Sequence, residues 1–123
     1  MDEILQERRQ HRRYPAQSGT FAAFMPYSAR RGQIVDISKG GLAFHYITDG
    51  RRSSSQHLAI LVIGEGVFVN HIRCETVSDF TVTPASPFSA APLRRCSVKF
   101  LDLQPEQVQK IDRLIAFHTI RDS

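Results

Sequence analysis

The feature that most constrains the fold is a series of short apolar segments separated by turn signals. Apolar and polar residues alternate in most of these segments, which is typical of strands with one buried face. Residues 57–63 are apolar on both faces instead, so we predict a strand that is covered on both sides. Many short strands of this kind predict a small antiparallel barrel. The predicted strands are residues 20–25, 30–38, 42–48, 57–63, 67–77 and 93–101.

The C-terminal part of the sequence changes to a helical pattern. Pro105 suits the first position of a helix, and Glu106 places a carboxylate where the helix dipole favours one. We expect a helix over about residues 104–120, with an apolar stripe that packs on the sheet or covers a barrel mouth. The stripe consists of Val108, Ile111, Leu114, Ile115 and His118.

A proline-rich segment, residues 79–92, interrupts the predicted strands. It contains Pro84, Pro87 and Pro92. Because proline cannot donate a hydrogen bond to a central ladder, we interpret this segment as a loop or an extended excursion. A chain of 123 residues is expected to form one domain with a single core.

An arginine-rich segment precedes the first predicted strand. Arg9 and Arg13 are four residues apart, so either an extended chain or a helix points both to one side. Pro15 favours extended geometry at Tyr14. We interpret residues 1–15 as a flexible arm that leads into a barrel domain of residues 16–123. The planar guanidinium fork suits phosphate oxygens and the O6/N7 edge of guanine.

A second polar cluster follows the predicted strand 30–38. Asp36 and Ser38 are two residues apart and are expected to share a face of that strand. A carboxylate can accept hydrogen bonds from guanine N1–H and N2–H, and a hydroxyl can serve a phosphate or a base. Gly40 and Gly41 permit a tight turn with positive φ, and their backbone N–H groups can approach an anion because no Cβ is in the way.

The two clusters together resemble the PilZ domain. The resemblance is carried by an RxxxR pattern (Arg9, Arg13) and a DxSxxG pattern (Asp36, Ser38, Gly41). That family is a bacterial receptor module for the second messenger cyclic di-GMP. Its fold is all-β with a terminal helix: a small six-stranded antiparallel barrel plus a C-terminal α-helix. The ligand-binding set that the resemblance implies is Arg8, Arg9, Arg13, Asp36, Ser38, Gly40 and Gly41.

The same resemblance implies a single-domain receptor or adaptor in the bacterial cytoplasm. Cyclic di-GMP is its expected ligand, and no cofactor is expected. Binding is expected to order the arm, and the signal is expected to pass to a separate partner protein because the chain carries no effector domain. Control of motility, exopolysaccharide or biofilm formation is typical of the family.

Other classes of function receive little support from the sequence. The net charge of +4 comes mainly from arginine, which favours phosphate and base recognition over a general lysine coat. The N-terminus lacks a signal peptide, and no apolar run is long enough to span a bilayer. Cys74 and Cys96 are expected to be free thiols, and no histidine has metal-ligand spacing. We find no nucleophile paired with a base and predict that the protein is not an enzyme.

Two alternatives to a nucleotide receptor stay open on the sequence alone. One is a PilZ-like protein-interaction module that binds no nucleotide, although such members usually lack motif residues that this chain has. The other is a small basic barrel that binds single-stranded nucleic acid. That function needs aromatic residues along an open face, whereas the basic residues here cluster in the arm.

Overall fold

The structure of the protein is a computed structural model that describes residues 11–25, 31–47, 56–84, 86 and 91–120. Within these ranges the backbone forms strands and one C-terminal helix. In chain order they are β1 (Tyr14–Pro15), β2 (Thr20–Met25), β3 (Arg31–Ile37), β4 (Gly41–Ile47), β5 (His57–Val62), β6 (Gly66–Thr83), β7 (Leu93–Phe100) and α1 (Pro105–Phe117).

Six of these strands close into an antiparallel barrel. The order around the ring is β3-β2-β5-β6-β7-β4, and pairing between β3 and β4 completes the closure. β3 makes both joints, since residues 31–33 pair with β2 and residues 34–37 pair with β4. The two-residue β1 pairs with the last residues of β3. The predicted six-stranded barrel with a C-terminal helix is therefore confirmed.

The barrel interior is filled by apolar side chains from every strand of the ring. The rings of Phe24 and Phe44 lie 5.8 Å apart between centroids, and both side chains are almost fully buried. Each large side chain buried in this way stabilises the fold by about 2 kcal/mol. Further members of the core are Ile34, Ile37, Leu42, Leu58, Ile60, Ile72 and Val98.

A bulge in β3 determines which way Asp36 points. Strict alternation predicts Ile34 and Asp36 on the same face, and that interpretation is wrong. The register with β4 shifts between these two residues, and Ile34 and Ile37 are both buried in the core. The additional residue in the bulge reverses the alternation. Asp36 consequently faces the outside of the barrel.

β6 is longer than the sequence indicated. The interpretation of residues 79–92 as a loop is wrong for its first part, because β6 continues to Thr83 and pairs with β7. Prolines begin only at Pro84, so the preceding residues keep the backbone N–H groups that the ladder needs. Two register shifts, near Val77 and Val82, let this long strand follow the curve of the barrel.

The helix α1 packs three residues of its predicted stripe, Ile111, Leu114 and Ile115, into the core. His118 follows the helix and meets the ring of Phe68 edge-on, at 6.1 Å between centroids. With 13 residues, α1 is too short to cross a membrane, and no described helix is long and apolar enough to do so.

Val108 does not join the buried stripe as predicted; 40% of this residue is exposed. The barrel-facing position in the first turn belongs to Gln107 instead. Its Nε2 donates hydrogen bonds to the carbonyl oxygens of Asn70 (2.9 Å) and His71 (3.2 Å) on β6. A polar tether of this kind fixes the start of the helix and leaves Val108 at the surface.

Backbone hydrogen bonds join the segment that follows β1 to the segment that follows α1. Ala16 forms an isolated antiparallel bridge with Thr119. The N–H of Gln17 donates to His118 O at 2.9 Å, and the N–H of Ile120 donates to Pro15 O at 2.8 Å. Because each end holds the other, the residues just before β1 have a defined position relative to the barrel.

Candidate functional site

A carboxylate held between two guanidinium groups lies at the outer surface of the barrel. Nη1 of Arg13 is 3.3 Å from Oδ1 of Asp36, and Nη2 of Arg95 is 3.2 Å from Oδ2 of the same residue. The Asp36 side chain is only 18% exposed, while Arg13 and Arg95 are about one-third exposed. The cluster is therefore partly shielded from water yet open to a ligand.

Strand pairing explains how these three side chains meet. Tyr14 and Pro15 pair with Ile37 and Asp36, so that Arg13, immediately before β1, reaches the carboxylate. Arg95 comes from β7, which is separated from β3 by β4. Alternation along β7 points Arg95 outward, towards the surface that carries Asp36.

Small side chains form the surface beside this cluster. Asp36 pairs with Ala43, and Ala43 pairs with Ser97, so the three residues make one row across β3, β4 and β7. Because cross-strand partners share a face, Ala43 and Ser97 lie on the outer surface, where both are nearly inaccessible. Arg95 and Lys99 flank Ser97 on β7. The result is a shallow floor with a cation on each side.

Ser38 holds the turn between β3 and β4. Its Oγ accepts hydrogen bonds from the N–H groups of Gly40 (3.1 Å) and Gly41 (3.2 Å), and its own N–H donates to Gly41 O at 2.8 Å. Ser38 is buried. These two backbone N–H groups, which the sequence suggested for an anion, thus have an acceptor within the turn.

The two glycines of the turn leave space for neighbouring atoms, and neither is needed for positive φ. Neither has φ in the left-handed region, so the turn does not use the positive φ that glycine permits. A Cβ on Gly41 would lie 2.2 Å from the backbone oxygen of Val98, and one on Gly40 would lie 2.8 Å from Cδ2 of His11. Gly41 therefore lets β4 approach β7, and Gly40 makes room for the imidazole.

The structure brings Arg13 and Asp36 together, with Ser38, Gly40 and Gly41 in the adjoining turn. Arg8 and Arg9 lie outside the described residues. Arg12 does not reach Asp36; its guanidinium carbon lies 5.2 Å from the centroid of the Tyr14 ring. Arg13 is thus the arginine that the arm contributes to the described part of the site.

Sequence reasoning missed Arg95. Alternation in residues 93–101 correctly places Arg95, Ser97 and Lys99 on the outer face. Nothing in the sequence indicates that this strand lies two positions from β3, however, so the contact with Asp36 could not be foreseen. An outward-facing arginine on a strand with small neighbours was the available signal.

The adjacent Arg94 has a different role. Its side chain points inward, where Nε lies 2.8 Å from Oδ1 of Asp79, and Tyr46 Oη donates to Oδ2 of Asp79 at 2.6 Å. Burial and the hydrogen bond to Asp79 raise the pKa of the Tyr46 phenol. The hydrogen bond to Asp79 also raises the pKa of the Arg94 guanidinium. This network links β4, β6 and β7.

Among the described residues, no group of three or more His, Cys, Asp or Glu side chains has an arrangement that could hold a metal ion. Cys74 and Cys96 are buried thiols that form no disulfide. Cys74 pairs with Phe100, whereas Cys96 pairs with Asp79, so the register keeps the two cysteines apart. The chemistry of the Asp36 cluster is instead that of charge and hydrogen bonding. Guanidinium groups suit phosphate oxygens, and a carboxylate suits N–H donors.

Comparison with known proteins agrees with this chemistry. The family model of the PilZ domain matches residues 7–117. The chain therefore belongs to the PilZ domain family. No sequence among the curated proteins matches the chain.

Solved structures with the same fold include two proteins. The PilZ domain of YcgR from Escherichia coli with c-di-GMP has a TM-score of 0.61 and 19% identity, with 89% of each chain covered. The K. pneumonia MrkH–c-di-GMP complex has a TM-score of 0.63 and 15% identity, covering 88% of this chain and 50% of MrkH. The chain thus spans about half the length of MrkH. At these identities the likeness shows the fold.

Proposed function

We propose that this protein is a receptor for cyclic di-GMP and not an enzyme. The observation that carries the proposal is the contact of Arg13 and Arg95 with the two oxygens of Asp36. This contact joins Arg13 of the RxxxR pattern to Asp36 of the DxSxxG pattern, at a surface with an excess of positive charge. Membership of the PilZ family and the c-di-GMP named in the YcgR and MrkH structures support the same ligand.

The proposed binding reaction is an exchange of partners. Each oxygen of Asp36 already contacts one guanidinium, and release of one of them would open an edge of the carboxylate to the guanine N–H groups. The released arginine then meets a phosphate. An ion pair is thereby replaced by two charge-assisted contacts, which favours a ligand that carries both phosphate and guanine.

The floor beside Asp36 is proposed to accommodate the ligand. Ala43 and Ser97 offer no bulky side chain, and Lys99 forms no ion pair with any described residue. Arg95 and Lys99 can therefore meet phosphate oxygens from both sides of Ser97. In this arrangement Ser38 stabilises the turn, and its contribution to binding is mainly indirect.

The proposal extends to the arm and to a partner. Contacts from Arg8 and Arg9, which lie outside the described residues, would hold residues 1–15 over the bound nucleotide. The new surface would signal to a separate protein in the bacterial cytoplasm, with motility, exopolysaccharide or biofilm as the controlled output. Protection of the arm from limited proteolysis by cyclic di-GMP, and not by GTP, tests this step.

Titration calorimetry with cyclic di-GMP, cyclic GMP and GTP tests the ligand assignment. We expect saturable binding of cyclic di-GMP and at least about tenfold weaker binding of the other two, since they lack the second guanine and the ring with two phosphodiester groups. Absence of binding at high concentration would favour an interaction module without a nucleotide. Binding of a single-stranded oligonucleotide that falls steeply with salt would favour the nucleic-acid alternative.

A further inference from the structure

An apolar groove of about 500 Å³ lies on the barrel wall formed by β2 and β5. In the ring order, β2 stands opposite β7 and β5 stands opposite β4. The groove is thus on the other side of the barrel from the floor beside Asp36. A cavity of this size falls in the range of about 300–1,000 Å³ that is typical of binding sites.

The apolar character of the groove comes from the outer face of β5. The sequence predicted that this strand is covered on both sides. Its inner residues Leu58, Ile60 and Val62 lie in the core, and on the outer face Ala59 is buried while Leu61 is half-buried. Leu61 points outward and pairs with Phe21 on β2 and with Val67 on β6. Apolar side chains therefore form a continuous row across three strands of the outer surface.

Two large apolar residues, one beside this row and one at its end, are strongly exposed. Ile63, which adjoins Leu61 at the end of β5, is 73% exposed, and Val67 is 47% exposed. Phe21, Leu61 and Ile63 line the groove, and Val67 lies next to it. Single exposed apolar residues are common, but a contiguous set that lines a concavity is typical of an interaction site.

A positive charge stands at the rim of the groove. Arg31, at the start of β3, pairs with Ala23 on β2 and is exposed. Its side chain forms no ion pair with any residue in the described ranges. A partner that places a carboxylate beside Arg31 gains a contact that no described group competes for. The net charge of +4 also favours an acidic partner.

We propose that this groove binds an amphipathic helix of a partner protein, with apolar anchors on one face and an acidic residue next to them. An added strand is excluded, because β2 and β5 each pair with a neighbour on both sides. Three adjacent strands span about 10 Å, which matches the roughly 11 Å of two helical turns. Anchors at positions i, i+3 or i+4, and i+7 then follow the row from Phe21 to Val67.

A second copy of the chain is a poorer occupant of the groove. A two-fold interface would place one concave surface against another, and neither would fill its counterpart. The described lining of the groove also contains no acidic residue, so a second groove would offer Arg31 no carboxylate. A convex, acidic element satisfies both the shape and the charge.

The inference goes beyond the proposed function, because the groove does not require nucleotide at the Asp36 surface. The two surfaces share β3, which begins at Arg31 and carries Asp36 five residues later. The groove and the Asp36 surface nevertheless lie on opposite sides of the barrel. Each can therefore be tested while the other is intact.

The test is selection from a displayed library of amphipathic helical peptides, with Leu, Phe or Met at the anchor positions and all other positions randomised. The full-length protein is the bait. We expect acidic clones whose affinity falls at least about tenfold with Ile63→Asp or Leu61→Asp, two residues that line the groove. The matched control is Val77→Asp, another exposed apolar residue, 65% exposed, that is outside the groove. It should leave the affinity within about twofold, a difference of under 1 kcal/mol.

A charge swap gives a second readout that does not depend on folding of the groove variants. Arg31→Glu should weaken the selected acidic peptides, and a Glu→Arg change in the peptide should restore their binding. The proposal would be overturned if no enriched peptide bound wild type more tightly than Ile63→Asp. It would also be overturned if the wild-type protein were a dimer and Ile63→Asp made it a monomer. Titration of Ile63→Asp with cyclic di-GMP separates the peptide-binding result from the proposed nucleotide binding, because the affinity of this variant for cyclic di-GMP should equal that of wild type.

Discussion

Arg95 and Asp36 are 59 residues apart in the sequence, yet Nη2 of Arg95 lies 3.2 Å from Oδ2 of Asp36. Closure of the barrel brings them together, since β3 and β7 both flank β4. The contact adds a third element to a site otherwise formed by the arm and by the β3–β4 turn. It makes the site a property of the folded barrel and not only of two short motifs.

Arg95→Met should weaken cyclic di-GMP binding by about tenfold, which corresponds to roughly 1.4 kcal/mol. The variant keeps an apolar stem on β7 but removes the guanidinium that is proposed to pass from Asp36 to phosphate. Calorimetry measures the change. Arg73→Met is the control, because Arg73 pairs with Asp102 at another exposed position. Equal losses in both variants would indicate a general charge effect instead of a site at Arg95.

Ser38→Ala should lower the free energy of unfolding by about 1–2 kcal/mol, because Gly40 and Gly41 lose the acceptor of their N–H groups. Urea denaturation measures this change. Cyclic di-GMP affinity should fall less than about tenfold, since the proposed contribution of the hydroxyl is indirect. A variant of unchanged stability that loses more affinity than this would show that Ser38 contacts the ligand itself.

Gly41→Ala should be more damaging than Gly40→Ala. The new Cβ at Gly41 would meet the backbone oxygen of Val98, which cannot move without separating β4 from β7. Overpacking of this kind costs about 1–3 kcal/mol or more. At Gly40 the obstacle is the His11 ring, which can rotate away, so we expect a loss below about 1 kcal/mol. Thermal unfolding of the two variants measures the order, and the reverse order would contradict the packing role assigned to Gly41.

The Tyr46–Asp79–Arg94 network predicts a loss of stability at high pH. Its raised pKa means that the folded state holds the Tyr46 phenol proton more tightly than the unfolded chain does. This stabilisation is fully present below the unfolded value of about 10 and is lost as the pH rises through the folded pKa. Urea unfolding between about pH 8 and pH 11 should show a steeper decline for wild type than for Tyr46→Phe. Parallel declines would show that the other tyrosines account for the effect.

Much of the fold was predictable because the local sequence pattern of each segment indicates its secondary structure. Alternation in residues 42–48 and 93–101 identified the inward residues, and Pro105 located the start of the helix. Local signals failed where a distant partner decides the outcome. The bulge in β3 depends on pairing with β4, and Gln107 displaces Val108 because Asn70 and His71 offer it acceptors.

The candidate site shows the same division. Arg13 and Asp36 belong to short motifs whose chemistry can be read from the sequence, and their contact fits that interpretation. Arg95, in contrast, becomes part of the site only through the order of strands in the ring. Gly41 was identified correctly as part of the turn, but its reason is the approach of Val98 and not its φ angle.

The measurement that tests the central claim most directly is calorimetric titration of cyclic di-GMP into wild type, Arg13→Ala and Asp36→Ala, with Arg73→Ala as the control. We predict saturable binding to wild type and to the control. We also predict at least about 30-fold weaker binding to the two site variants, as expected for loss of roughly 2 kcal/mol when one partner of a shielded charge pair is removed. Equal affinity in all four proteins, or no binding to wild type, would contradict the account.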